Sequence, residues 1–193
     1  MIGRSFSFQL LTGISLIDVD ELFTVIEKGQ QMGIIVPSSE VPEKPFTFAH
    51  ELVRQTLLAG ISAPRRQQLH ASVADAIERL DPGAVSERAG DIADHFVKAG
   101  SFADRQRLVR YLTLAGKNAL EAAAYEEAWS SFRSALAHRA AIGAKERAEL
   151  LASLAMAESS LGDGKRHLGI YANHSMSPSG SATAARSAEV LAN

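Results

Sequence analysis

The sequence contains no cysteine, which excludes disulfides, thiolate catalysis and cysteine-ligated zinc or iron–sulfur centres. A surplus of charge of one sign is also lacking. Its 20 basic and 22 acidic residues leave a net charge of −2, so nucleic acid or anionic lipid could be attracted only by a local patch. No stretch is apolar enough to span a membrane, and the opening Met1-Ile2-Gly3-Arg4-Ser5-Phe6 has neither the basic start nor the apolar run of a signal peptide. These absences predict a soluble, cytoplasmic chain without membrane contacts. Aromatics are sparse, at 6% of 193 residues, and alanine is plentiful, a mixture that favours packed helices. The length allows one globular domain or two small ones.

What is present reads first as helix, helix, hairpin. An apolar piece around Phe6 to Leu11 precedes a polar break at Thr12 to Ser15. Asp18 is placed to cap a second helix, with Glu21 at capping-box spacing. Leu22, Phe23, Ile26 and Met32 supply its apolar faces and Gly33 its stop. Ile34-Ile35-Val36 is β-branched, 37–45 is rich in turn formers, and Phe46-Thr47-Phe48 alternates as a returning strand does. That order of elements is the order of a winged helix.

From Ala49 onward the periodicity is helical throughout. Leu52, Leu57 and Leu58 sit on the helix that leaves the hairpin, and Ser62-Ala63-Pro64 opens the next, since proline is tolerated in a first turn. That helix carries Leu69, Val73, Ala76, Ile77 and Leu80 and ends at Asp81-Pro82-Gly83. Ala89, Ile92, Ala93, Phe96 and Val97 then mark a buried stripe before a stop at Gly100.

Between Val109 and Ala140, small and large residues fall at the offsets of a tetratricopeptide repeat. Leu112, Ala115, Gly116 and Ala119 match its first helix, and Ala128, Phe132 and Ala135 its second, joined by the turn-like Ala124-Tyr125-Glu126-Glu127. Small side chains at Gly116 and Ala128 let antiparallel helices approach closely, and Phe132 is expected to fill the groove between neighbouring hairpins. An ordinary hairpin matching by chance in alanine-rich sequence is the plainer alternative, and Ala140 stands where proline is common. A second copy begins at Glu146 to Leu161, with Leu151, Leu154 and Ala155 in first-helix positions and a turn at Gly162-Asp163. His167 then replaces a close-packed alanine, and the chain turns to Ser, Ala, Gly and Asn. Such composition buries too little apolar area to offset chain entropy, so a disordered tail is expected, with a short helix near 184–191. An array without a polar cap should leave apolar surface exposed on the helix from Ala144 to Leu161.

The expected fold is therefore mainly α. A partial winged helix with a short β-hairpin occupies 1–60, linking helices 61–107, tetratricopeptide-like antiparallel hairpins 108–164, and a low-complexity tail 165–193. Four blocks reinforce this division: Ile2 to Phe6, Phe46 to Arg54, Arg65-Arg66-Gln67-Gln68-Leu69-His70, and His95 to Gly100. Together they resemble the region after the ATPase core in bacterial STAND-type signalling ATPases, namely LuxR-type regulators and ATPases fused to adenylate cyclase or kinase domains. The resemblance spans roughly 1–161. It implies a nucleotide-binding core upstream of the first block, with ATP or ADP as cofactor of the full-length relatives and no cofactor in this chain.

The motifs of autonomous chemistry are missing. A phosphate-binding loop needs G-x-x-x-x-G-K-[ST] between strand and helix. Gly164-Lys165 fails because Arg166 follows, the required upstream glycine is absent and no strand precedes it. There is no G-x-S-x-G elbow, H-E-x-x-H pair or carboxylate metal loop. The expectation is a chain that is not an enzyme and has no metal site. Ala49-His50-Glu51 corresponds to the Met-His-Asp motif of the STAND class, whose histidine contacts the β-phosphate of ADP. The resemblance implies that role for His50, with Arg54 one turn on, only where a nucleotide core is present; otherwise His50 fills a polar site where hairpin meets helix. His70 and His95 are expected to pack or to make helix-end hydrogen bonds, and Arg65 and Arg66 to be a solvated helix start. The expected function is a regulatory scaffold whose partner is a protein, a peptide or an upstream ATPase core, with a free-standing adaptor as the alternative. Reading of DNA is disfavoured by Asp18, Asp20, Glu21 and Glu27 against Lys28 on the second helix.

Overall fold

A computed structural model of the chain describes residues 5–38 and 45–174, with side chains described through residue 162. It is mainly helical, with one small antiparallel sheet. Ser5–Phe6 (β1) leads into Phe8–Ile14 (α1), started by Ser7, whose hydroxyl oxygen accepts the Leu10 N–H at 3.1 Å. The expected apolar piece is thus split between strand and helix. The expected break at Thr12 to Ser15 is largely helical, because Thr12 donates its hydroxyl to the Gln9 carbonyl at 2.8 Å instead of ending the turn. Val19–Gln31 (α2) begins as expected, with Asp18 accepting the Glu21 N–H at 2.8 Å. Gly33 closes it at φ 67, and Ile34 N–H reaches back to the Gly29 carbonyl at 2.9 Å, a Schellman ending that needs a left-handed residue.

Ile35–Pro37 (β2) and Phe46–Phe48 (β3) form the expected hairpin. β1 joins the free edge of β3, with Ser5 opposite Thr47, giving the strand order β1-β3-β2. Six helices follow: Glu51–Ala59 (α3), Ala63–Leu80 (α4), Ala89–Ala99 (α5), Arg105–Glu121 (α6), Tyr125–Ala137 (α7) and Ala144–His174 (α8). From α4 onward each packs against the next in chain order, and α1 rests on α4. The core runs through this stack, with Val73, Ile92, Phe96, Tyr111, Phe132 and Leu150 among its fully buried side chains.

Three expectations are corrected in the second half. The turn between α6 and α7 is Ala122-Ala123-Ala124, so Tyr125, Glu126 and Glu127 belong to the first turn of α7. Ala123 adopts φ 57, and Ala124 N–H bonds to the Ala119 carbonyl at 2.8 Å, the same Schellman ending without a glycine. Gly162-Asp163 makes no turn: α8 runs unbroken to His174, so 165–174 of the expected disordered tail are helical. A helical glycine costs only about 1 kcal/mol relative to alanine and does not by itself end a helix. The expected helix at 184–191 lies outside the described residues. The packing register of α8 also differs. Leu150 and Ala157 are buried with Leu154 beside them, whereas Leu151 and Ala155 face outward. Exposed Leu151 and Met156 do leave apolar surface on α8, as expected.

Candidate functional site

The residues singled out between α6 and α7 meet each other. Ala128, Phe132 and Ala135 are fully buried, and Leu112 and Gly116 lie in the same core. A Cβ added to Gly116 would stand 2.6 Å from the Phe132 ring, closer than any side chain tolerates, so the glycine is what admits the phenyl group. Phe132 therefore fills the space inside its own hairpin, against Gly116, rather than a groove between hairpins. These side chains hold the scaffold together and present nothing to a partner.

A polar cluster that sequence reasoning missed ties α4 to α6. Arg107 donates to Asp75 at 2.7 Å and to Glu78, and the Tyr111 hydroxyl donates to the other Glu78 oxygen at 2.5 Å. The guanidinium lies 4.8 Å above the Phe96 ring of α5, so one cation is held by two carboxylates and an aromatic face. The Tyr111 bond, joined by Arg107, holds the Glu78 carboxyl below its ordinary range despite partial burial. Burial and the neighbouring carboxylate push the Tyr111 hydroxyl up to about 12. The partners lie about thirty positions apart in the chain, beyond any local motif. The available signal was spacing: Asp75 and Glu78 share one face of α4, and Arg107 and Tyr111 one face of α6.

His70 and His95 are brought together, which spacing along the chain did not suggest. Their Nδ1 atoms are 3.0 Å apart and their ring centroids 5.1 Å, so one imidazole donates and the other accepts across α4 and α5. Burial pushes both down to about 4, which keeps the pair neutral at ordinary pH. Of the packing or helix-end bonds expected for each, packing is what they make, each against the other's ring.

His50 stands at the N-cap of α3, exposed and without a side-chain capping bond. Arg54 does not turn toward it. Its Nε and a terminal nitrogen contact the two oxygens of Glu51 at 2.8 and 2.5 Å, and this bond holds the guanidinium pKa above its ordinary value. The two residues expected to face a phosphate thus stand one turn apart at the start of α3, with the cation engaged by its own helix. Arg65 and Arg66 are exposed, as expected, Arg65 donating to Gln68 at 2.8 Å. Asp18, Asp20, Glu21 and Glu27 all lie on the solvent side of α2.

Beneath α3, an apolar cavity of about 320 Å³ opens between α2, the sheet and α4, with Leu22, Ile26, Phe48, Leu58 and Val73 in its walls and Arg54 at its rim. Leu52, on the same helix, is 74% exposed. The helix that carries Leu52, Leu57 and Leu58 has no buried residue. Among the described residues no group of three His, Asp or Glu side chains could hold a metal ion, and no helix is long and apolar enough to cross a membrane. Comparison of the chain with protein-family models, with curated proteins and with solved structures gives no match in any of the three.

Proposed function

We propose that this chain is a non-catalytic regulatory scaffold of a signal-transduction ATPase. In this reading its N-terminal unit is a winged helix, and its tetratricopeptide-like hairpins carry contacts between proteins, or between parts of one protein, in transcriptional or cyclic-nucleotide signalling. What supports the reading most is a single arrangement. A β1-α1-α2-β2-β3 unit with strand order β1-β3-β2 leads through α3 into helices stacked in chain order. Gly116 and Phe132, which fall at tetratricopeptide offsets in the sequence, pack against each other inside the α6 to α7 hairpin. ATP or ADP would be bound by a partner core, with His50 and Arg54 contributing only once Glu51 releases the guanidinium. Reading the DNA upstream tests this: an in-frame phosphate-binding loop agrees with it, and ATP turnover by the purified chain would defeat it.

A free-standing adaptor that binds a protein or peptide is the second reading. It is favoured by the core, which lies in α4 to α8 and, among the described residues, meets the N-terminal unit at Leu10 and Ile14 on its edge. Such a stack holds itself together without another domain. Specific capture of one partner by the full-length chain, with no phosphate-binding loop encoded upstream, would select the adaptor.

A further inference from the structure

We infer that the cleft between α7 and α8 is a recognition pocket for an arginine side chain of a partner polypeptide, an inference that rests on the partner-binding reading of the helical stack. Trp129 is the chain's single tryptophan. Its indole N–H crosses from α7 to donate to the Glu158 carboxylate on α8 at 3.0 Å. Beside this bond lies a cavity of about 580 Å³, lined by Glu126, Trp129, Ser130, Glu158, Leu161 and Gly162.

The lining decides the ligand's chemistry. Two carboxylates face the space and, among the described residues, no basic side chain lines it. Glu126 has no ion-pair or hydrogen-bond partner among those residues. Glu158 spends one oxygen on the indole and keeps the other. An acidic peptide or a phosphate would be repelled, and an uncharged apolar group would strip water from two carboxylates without repaying them. A cation on an apolar stem meets all the walls at once. Its methylenes lie against Leu161 and the indole edge, and its charge lies between Glu126 and Glu158. Guanidinium fits better than ammonium because it is planar and can bond two carboxylates in one plane. One indole face already carries the Arg133 guanidinium, 4.9 Å from the Trp129 ring centroid, so the incoming side chain meets the indole at its edge. The stem can enter at Gly162, where even an added Cβ would meet nothing within 4 Å.

Because Trp129 is the chain's only indole, its emission reports the pocket directly. Titrating the full-length protein with a capped glycine-arginine-glycine peptide should give a saturable change in tryptophan fluorescence. Binding should weaken about tenfold or more when citrulline replaces the arginine, and likewise in Glu126→Gln/Glu158→Gln, which keeps an acceptor for the indole. It should also weaken as salt is raised. No saturable change in the wild-type protein, an equal response to the citrulline peptide, or an unaltered response in the double variant would each overturn the assignment. A protein that captures its partner equally well with and without the double substitution loses this pocket while the scaffold reading stands.

Discussion

The N-terminal unit and the helical stack solve the same problem, hiding apolar surface, with opposite thoroughness. Among the described residues, β1, α2 and α3 bury only Phe6, Leu22 and Ile26, while Phe23, Val25, Leu52 and Leu57 stay exposed, Val25 and Leu57 in the wall of an open apolar cavity. From α4 to α8, each helix shields the next, and residues from Val73 to Ala157 form one continuous core. The difference teaches where the molecule's stability resides: chiefly in the stack, with the N-terminal unit attached mainly through α1 on α4.

The largest expected effect breaks the stack at its tightest point. Phe132→Ala removes a fully buried ring seated on Gly116 and should cost about 3–5 kcal/mol. Leu52→Ala in the exposed part of α3 should change stability by about 0.5 kcal/mol or less. Urea denaturation of both variants measures the contrast, and comparable losses would erase it. Next, Tyr111→Phe deletes the hydroxyl that Glu78 accepts across α4 and α6. It should cost about 1–2 kcal/mol and let the Glu78 carboxyl titrate closer to its ordinary value, which NMR titration would read.

Acid should loosen the stack through its paired histidines. The His70 and His95 imidazoles are pushed down to about 4 in the fold, against about 6.5 when unfolded, so the unfolded chain binds more protons in between. Their contribution is full above about pH 6.5 and is lost as pH falls toward 4. Asp94, Lys98 and Arg66 also act on the pair, the acid opposing the depression and the two cations adding to it. The melting temperature should fall between pH 7 and 5, and His70→Gln/His95→Gln should flatten that slope. A further small effect is a gain. Ala123→Gly relieves a left-handed alanine at the end of α6 and should stabilise the protein by about 0.5–1 kcal/mol, seen as a higher melting temperature.

How much was legible beforehand follows the range of the interaction. Asp18, Gly33, Pro64 and Gly100 mark element ends through local chemistry, and those ends lie where their residue types place them. Gly116 and Phe132 were legible as a small and a large residue at fixed offsets, although Phe132 was expected between hairpins and instead meets Gly116 inside its own. Ala123 was not: nothing in alanine announces a left-handed turn, and the more polar Tyr125-Glu126-Glu127 drew the boundary past it. Gly162 misled in the other direction, since a glycine permits a helix end without requiring one. The Asp75, Glu78, Arg107, Tyr111 cluster and the His70 to His95 contact join separate helices, and a single sequence carries no signal for which faces will meet. Arg54 was read toward an anion. The competing partner, Glu51, stands three residues before it on its own helix.

Native-state hydrogen exchange on the full-length protein tests the central contrast most directly. The account predicts that α6 and α7 amides exchange only with global unfolding, while α2 and α3 amides exchange about tenfold faster or more through local opening. Equal protection of α3 and α6 would contradict it.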